Sequence, residues 1–261
     1  MAGPVIKTPA EIAAMRKAGQ VVARVLRLLE EMIAPGITTA ALDRAARELI
    51  AKEGGIPSFD GYPSAIAGVP PFPAAICASV NEEVVHGIPG DRELREGDII
   101  SVDVGVILDG FHGDAARTYA VGEVSRKARR LLRVTEECLR KAIAVLRPGV
   151  TVGRISAAIE EHAQSHGFNV VRKFVGHGIG RRMHEPPQVP NYVSSLFADA
   201  KLPLPAGTTL AIEPMVNIGG SDVRILDNGW TVVTKDRSLS AHFEHTVAIT
   251  AEGTAVLTET P

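Results

Sequence analysis

Four carboxylates and one imidazole stand in stretches where charged side chains are out of place. Asp103 lies in Ile99-Ile100-Ser101-Val102-Asp103-Val104-Gly105-Val106-Ile107, a run apolar enough for a buried strand, and Asp114 follows in Phe111-His112-Gly113-Asp114. Glu213 ends the apolar run Thr209-Leu210-Ala211-Ile212, and Pro214 holds it extended. Glu244 lies within Ala241-His242-Phe243-Glu244-His245-Thr246-Val247-Ala248-Ile249, which reads as one strand. His177 sits in Gly176-His177-Gly178-Ile179-Gly180, where the missing side chains leave room for a ligand to approach the imidazole. Alone, a histidine in such a turn is more often structural. A carboxylate in an apolar strand is costly unless it is paired or ligated. A buried Arg could answer one of these glutamates, but that reading strains for two. The ligand set is hard and oxygen-rich, which suits Mn, Fe(II) or Co(II) better than a thiolate-rich structural zinc site. Four carboxylates overload one divalent ion. Two ions sharing ligands balance the charge, and a water between them becomes acidic enough to attack at neutral pH.

The elements that must hold these groups are legible around them. Asp109-Gly110 is a hairpin signal for a two-residue turn. With that turn, Leu108 pairs with Phe111, Gly105 with Asp114 and Asp103 with Ala116. Side chains alternate faces along a strand, so Asp103 and Asp114 share one face as diagonal neighbours. Helical periodicity runs from Glu11 to Ile33 and from Ser125 to Leu146. After each comes a Pro-Gly step, Pro35-Gly36-Ile37-Thr38 and Pro148-Gly149-Val150-Thr151, leading into an amphipathic segment that ends near Gly54 or Gly167. Both pairs of landmarks are offset by 113 residues. Each Thr can cap the helix that follows. The expectation is an α+β fold: a single catalytic domain over 1–261, made of two related halves at about 9–122 and 123–250. A site between the halves would be natural.

Composition narrows the partners. The 261-residue chain is 45% hydrophobic and 22% charged with net charge −2, and no run of Lys or Arg could track a phosphate backbone. Nucleic acid is excluded as the main ligand. Two cysteines, Cys77 and Cys138, make no disulfide framework, so a reducing compartment is expected. The N-terminal stretch has no basic region followed by an apolar core, and no apolar run is long enough to span a bilayer. A cytoplasmic protein is the expectation.

At these residues the sequence resembles the type I methionine aminopeptidases, metallopeptidases of the pita-bread fold. The resemblance runs from about Thr8 to Thr250 and rests on separated motifs. They are Asn81 through Pro89, Asp103 through Asp114, Gly176 through Gly180, His184 through Tyr192, Ile212 through Met215, and Ser238 through Thr246. It implies removal of the N-terminal methionine from nascent proteins and peptides, with a small second residue preferred. Two divalent ions, Co, Mn, Fe(II) or Zn, are implied as cofactors. Asp103 would hold one metal with both oxygens, Asp114 and Glu244 would bridge, and His177 and Glu213 would complete the other. Glu213 would also carry the proton from the attacking water to the leaving amine. His86 and His184 would contact the substrate amide and the developing oxyanion. The methionine pocket would be walled by Phe59, Tyr62, Cys77, Met183 and Trp230. Transient work near the ribosome and a monomeric state are further implications.

The chain departs from the family pattern twice. Ser64 through Ala75 is extra sequence at the expected pocket rim, rich in proline and therefore stiff. It either contacts substrate beyond the first peptide bond or covers apolar surface. Gly105 stands where the family commonly has Thr. The alternatives are an X-Pro aminopeptidase or prolidase of the same fold, and a non-catalytic pita-bread binding protein. The first usually carries an extra N-terminal domain, and the second loses metal ligands that are all present here.

Overall fold

The computed structural model describes residues 3–194 and 197–259. Four α-helices among the described residues pack on antiparallel sheets. Helix α1, Pro9–Met32, opens with a capping box in which Thr8 and Glu11 bond each other's backbone N–H. Its buried face carries Met15, Ala18, Val22, Val25 and Leu29, the three-and-four spacing of a helix lying on a core. Helix α2, Thr39–Lys52, is capped by the Thr38 hydroxyl. Both helices cover the sheet formed by Ile76–Val80, Ile99–Leu108 and Phe111–Ala120. Gly19 of α1 faces Gly113 of the third strand. A Cβ on Gly113 would lie 2.6 Å from the Gly19 nitrogen, so the two bare backbones let helix and strand meet.

The second set of elements follows the same plan. Helix α3, Arg126–Ala144, is capped by Ser125, and α4 spans Val152–Ser165. The helices α2 and α4 are each 14 residues long. Gly54 and Gly167, just beyond their ends, take up φ of +74° and +72°, the left-handed step that glycine makes cheaply. Thr151 caps α4 with its backbone position only. Its side chain makes no cap bond, unlike Thr38, and Thr151 is paired with Pro203 in a short two-stranded ladder. Leu131, Val134, Ile155 and Ile159 from α3 and α4 share a core with Leu210, Ile212, Val247 and Ile249. Those last residues belong to a five-stranded sheet ordered Gly253–Val256, His245–Thr250, Thr209–Ile212, Gly176–Gly178, Glu185–Val189.

Candidate metal centre and substrate cleft

The first two carboxylates come from the Ile99–Leu108/Phe111–Ala120 hairpin. Its register pairs Gly105 with Asp114 and Asp103 with Ala116, as the Asp109-Gly110 turn predicts. Asp114 is clamped further: its N–H donates to Thr246 Oγ1 at 3.0 Å, and that hydroxyl donates to the Asp114 carbonyl at 2.8 Å. The two glutamates come from a second pair of chain segments, and here the structure corrects the sequence reading. Glu244 is not inside one strand. Ser240–His242 and His245–Thr250 are separate strands, and Phe243-Glu244 is the break between them. The partner chain breaks at the same level, at Glu213-Pro214 between Thr209–Ile212 and Met215–Asn217. Pro214 has no N–H to offer a ladder; its carbonyl instead accepts from Phe243 N–H at 3.3 Å. Both glutamates therefore leave the sheet side by side. The Glu244 N–H donates to the Ala116 carbonyl at 2.8 Å, which ties this break to the aspartate hairpin.

His177 lies on the Gly176–Gly178 strand, opposite Ala211 on one side and Gln188 on the other. Its flanking glycines serve the backbone rather than ligand access. A Cβ on Gly178 would meet the Pro186 carbonyl oxygen at 2.3 Å, and one on Gly176 would meet that of Ala211 at 2.6 Å. The neighbouring strands approach too closely for any side chain. His177 Nδ1 donates to the Gly178 carbonyl at 2.8 Å. That leaves the Nε2 lone pair directed at the carboxylates, the orientation typical of a metal-ligating imidazole. Nε2 is 3.6 Å from Glu213 Oε1.

The five groups meet at the floor of a cleft of about 120 Å³. Its remaining lining includes His86, His184, Phe59, Tyr62, Cys77, Met183 and Trp230, so all twelve residues singled out in the sequence are brought together. Burial, reinforced by the neighbouring carboxylates, pushes Asp114 well above the ordinary carboxylate range, and likewise Glu213 and Glu244. Burial also pushes Asp103 up to about 7. The histidines move the other way, again through burial: His177 to about 3 and His86 to about 4, with His184 also lowered. The imidazoles are thus neutral donors and acceptors at pH 7. Asp103 Oδ1, Asp114 Oδ1 and Glu244 Oε1 are buried with no hydrogen-bond partner among the described residues. Ligand atoms of Asp114, His177 and Glu244 lie within 4.8 Å of one another. Orphaned carboxylate oxygens beside an oriented imidazole have the chemistry of a divalent-cation site, and the residues fit one.

The apolar end of the cleft is tight. His86 is held at φ +59°, a strained value for a residue with a Cβ, in the turn before Gly87. Its ring meets Trp230 edge-on at 6.3 Å. The Tyr62 hydroxyl and His184 Nδ1 are hydrogen-bonded at 2.5 Å. Two features of the site escaped the sequence reading. Phe72, inside the extra segment, is only 2% exposed and packs edge-on against Trp230 at 5.2 Å. The segment therefore supplies part of the wall. It folds back on Gly61 and Tyr62 through one backbone bond to each from Phe72, and its Pro70 carbonyl accepts from the Trp230 indole N–H at 3.0 Å. The second is His242. Its buried Nε2 lacks a hydrogen-bond partner among the described residues and sits 3.8 Å from Glu244 and 3.9 Å from Glu213. Its place in Ser240-Ala241-His242, just before Glu244, was the available signal. Gly105 also has a physical reason: a Cβ there would lie 2.8 Å from the Ser58 Cβ and 3.1 Å from the Phe59 ring, which occupies the space.

Fold and site together define a metallopeptidase centre on a pita-bread scaffold. The sequence matches the metallopeptidase family M24 over residues 13–251, and the chain belongs to that family. It is 50% identical over 254 residues to a methionine aminopeptidase of Clostridium perfringens, covering 97% of this chain and 98% of the relative. Methionine aminopeptidase 1 of Bacillus subtilis is 48% identical over 254 residues, with the same coverage. The crystal structure of methionine aminopeptidase from Thermotoga maritima superposes with a TM-score of 0.92 at 46% identity, covering 98% of this chain and all of that one. A prolidase from Pyrococcus furiosus shares the fold, with TM-score 0.75 at 22% identity; this chain spans 66% of its length.

Proposed function

We propose that this chain is a methionyl aminopeptidase, a metallo-exopeptidase that removes the N-terminal methionine from nascent proteins and peptides. One observation carries the reading: the carboxylate–histidine floor opens into a cleft whose apolar walls include Phe59, Phe72, Cys77, Met183 and Trp230. A thioether side chain is flexible and polarisable and suits aromatic and sulfur-lined walls. Full-length relatives named as methionine aminopeptidases support it.

Asp103, Asp114, His177, Glu213 and Glu244 would hold two divalent ions, from among Mn, Fe(II), Co and Zn. Bound there, such ions polarise a carbonyl and acidify water. The chain's own residues do the rest. Glu213, at the cleft floor with its carboxyl pushed up by burial, takes a proton from the attacking water. It returns that proton to the amine as the carbon–nitrogen bond breaks. With the Tyr62 hydroxyl donating to His184 Nδ1, 2.5 Å away, Nε2 would carry the proton for the developing oxyanion. His86, neutral and backed by Phe174 and Trp230, bonds the substrate amide. The joined Tyr62–His184 pair at the rim favours a small residue after the methionine.

The chain works as one catalytic domain of two related halves, about 9–122 and 123–250, with the site between them. It acts in the cytoplasm as a monomer, close to the ribosome when new N-termini emerge. No helix among the described residues is long and apolar enough to cross a membrane. The test compares turnover of Met-Ala-Ser with that of an X-Pro peptide. Cleavage of the methionyl peptide is expected; preferential cleavage of the X-Pro peptide would overturn the assignment.

A further inference from the structure

Three more metal-ligating side chains converge away from the cleft, where α3 packs on α4. Glu137 lies on α3, His162 in the last turn of α4, and His166 is the C-cap residue of α4. Residues four apart share a helix face, and the two imidazole centroids are 4.4 Å apart. His162 Nε2 is 2.9 Å from Glu137 Oε2. One ligand atom from each of the three lies within 4.8 Å of the other two. Ligands about 2.0–2.1 Å from a tetrahedral ion stand roughly 3.4 Å apart, so small side-chain rotations bring this set into place.

The surroundings already orient the set. His166 Nδ1 donates to the His162 carbonyl at 2.9 Å, which leaves its Nε2 as a lone-pair donor. Arg133 holds Glu137 Oε1 at 3.2 Å, so Oε2 faces the imidazoles. Arg130 is occupied with the His166 carbonyl at 2.8 Å. All three ligands are half-buried, which limits their rotamer freedom.

We infer that Glu137, His162 and His166 form a second metal site that takes an imidazole-preferring divalent ion such as Zn²⁺ or Ni²⁺. Two imidazoles and one carboxylate select differently from the oxygen-rich cleft: hard Mn²⁺ has little reason to stay, while Zn²⁺ does. The bound ion joins the end of α4 to α3 and keeps its fourth position for water.

The test is equilibrium dialysis of the metal-loaded enzyme against Zn²⁺ in excess Mn²⁺, with elemental analysis. Wild type is compared with His166→Gln and Glu137→Gln, which change ligands on different elements. Peptidase turnover, measured alongside, should be equal in all three and certifies folding. Wild type is expected to retain one more zinc per chain than either variant. Equal zinc content in wild type and both variants would overturn the site, whatever the cleft itself binds.

Discussion

Stripping the metals from this chain should make its stability fall as pH rises, and restoring them should cancel the fall. The cause is the carboxylate cluster. In the metal-free protein burial pushes Asp103 up to about 7 from an ordinary 3.8, and it pushes the three other carboxyls upward too. A carboxyl whose folded pKa is raised leaves the fold undisturbed below the unfolded pKa, where it is protonated in both states. It destabilises the fold progressively as pH climbs towards the folded value. The window for Asp103 is therefore about pH 4 to about 7, and the other carboxyls extend it upward. Raising the folded value from 3.8 to about 7 is worth on the order of 4 kcal/mol. Asp103 is only half-buried from the cleft side, so water reduces the figure. At roughly 2–4 °C per kcal/mol for a chain of this size, the metal-free melting temperature should drop by about 5–10 °C between pH 5 and pH 8. Divalent ions bind the ionised ligands and should raise it most at pH 8. Differential scanning fluorimetry with chelated and metal-replete protein reads this directly. A metal-free melting temperature that stays flat or rises across that range, or a metal-induced gain of equal size at both ends, would refute the reasoning.

Four further outcomes can be measured. Glu213→Gln keeps the side chain's size but removes its basic oxygen, and should lower kcat by about 10²–10⁴-fold with little change in KM; a near-normal kcat would assign the proton to another group. Asp103→Ala should fold, bind less metal by elemental analysis and lose most turnover, and wild-type activity in metal-replete buffer would sink the two-ion reading. Gly105→Thr drives a side chain into Ser58 and Phe59; overpacking of this kind costs about 1–3 kcal/mol, so both a lower melting temperature and a higher KM for methionyl peptides are expected. Replacing Pro63 through Pro71 with two glycines keeps Phe72 but removes the Pro70 carbonyl under Trp230; KM should rise equally for dipeptides and longer peptides, and a rise confined to long peptides would show direct contact beyond the first peptide bond.

Much of the centre was legible because local rules happened to decide it. The Asp109-Gly110 turn and strict alternation determine which residues of the aspartate hairpin face each other, and no distant contact is needed. Carboxylates in apolar runs are conspicuous for the same reason. What stayed hidden depends on neighbours far along the chain. The paired breaks at Glu213-Pro214 and Phe243-Glu244 arise because two strands interrupt their pairing at the same level while keeping register on either side, and neither strand shows this alone. The glycines beside His177 answer to the carbonyls of Pro186 and Ala211, which only the assembled sheet brings near. Lys7 and Glu185, 178 residues apart in the sequence, form a buried ion pair at 2.5 Å next to His184. Such a pair is excused by its partner and has no local signature. Phe72 was masked by its proline-rich surroundings, which read as rim rather than wall.

Trp230 is the single tryptophan of the chain. Its indole is bonded to Pro70 and stacked edge-on between Phe72 and His86. The protein's near-ultraviolet emission therefore arises almost wholly from one wall of the cleft. A methionine side chain entering beside that ring changes its contact with water and with a quenching imidazole. Occupancy of the cleft can thus be followed by intrinsic fluorescence in the unlabelled enzyme, including variants too slow for a turnover assay.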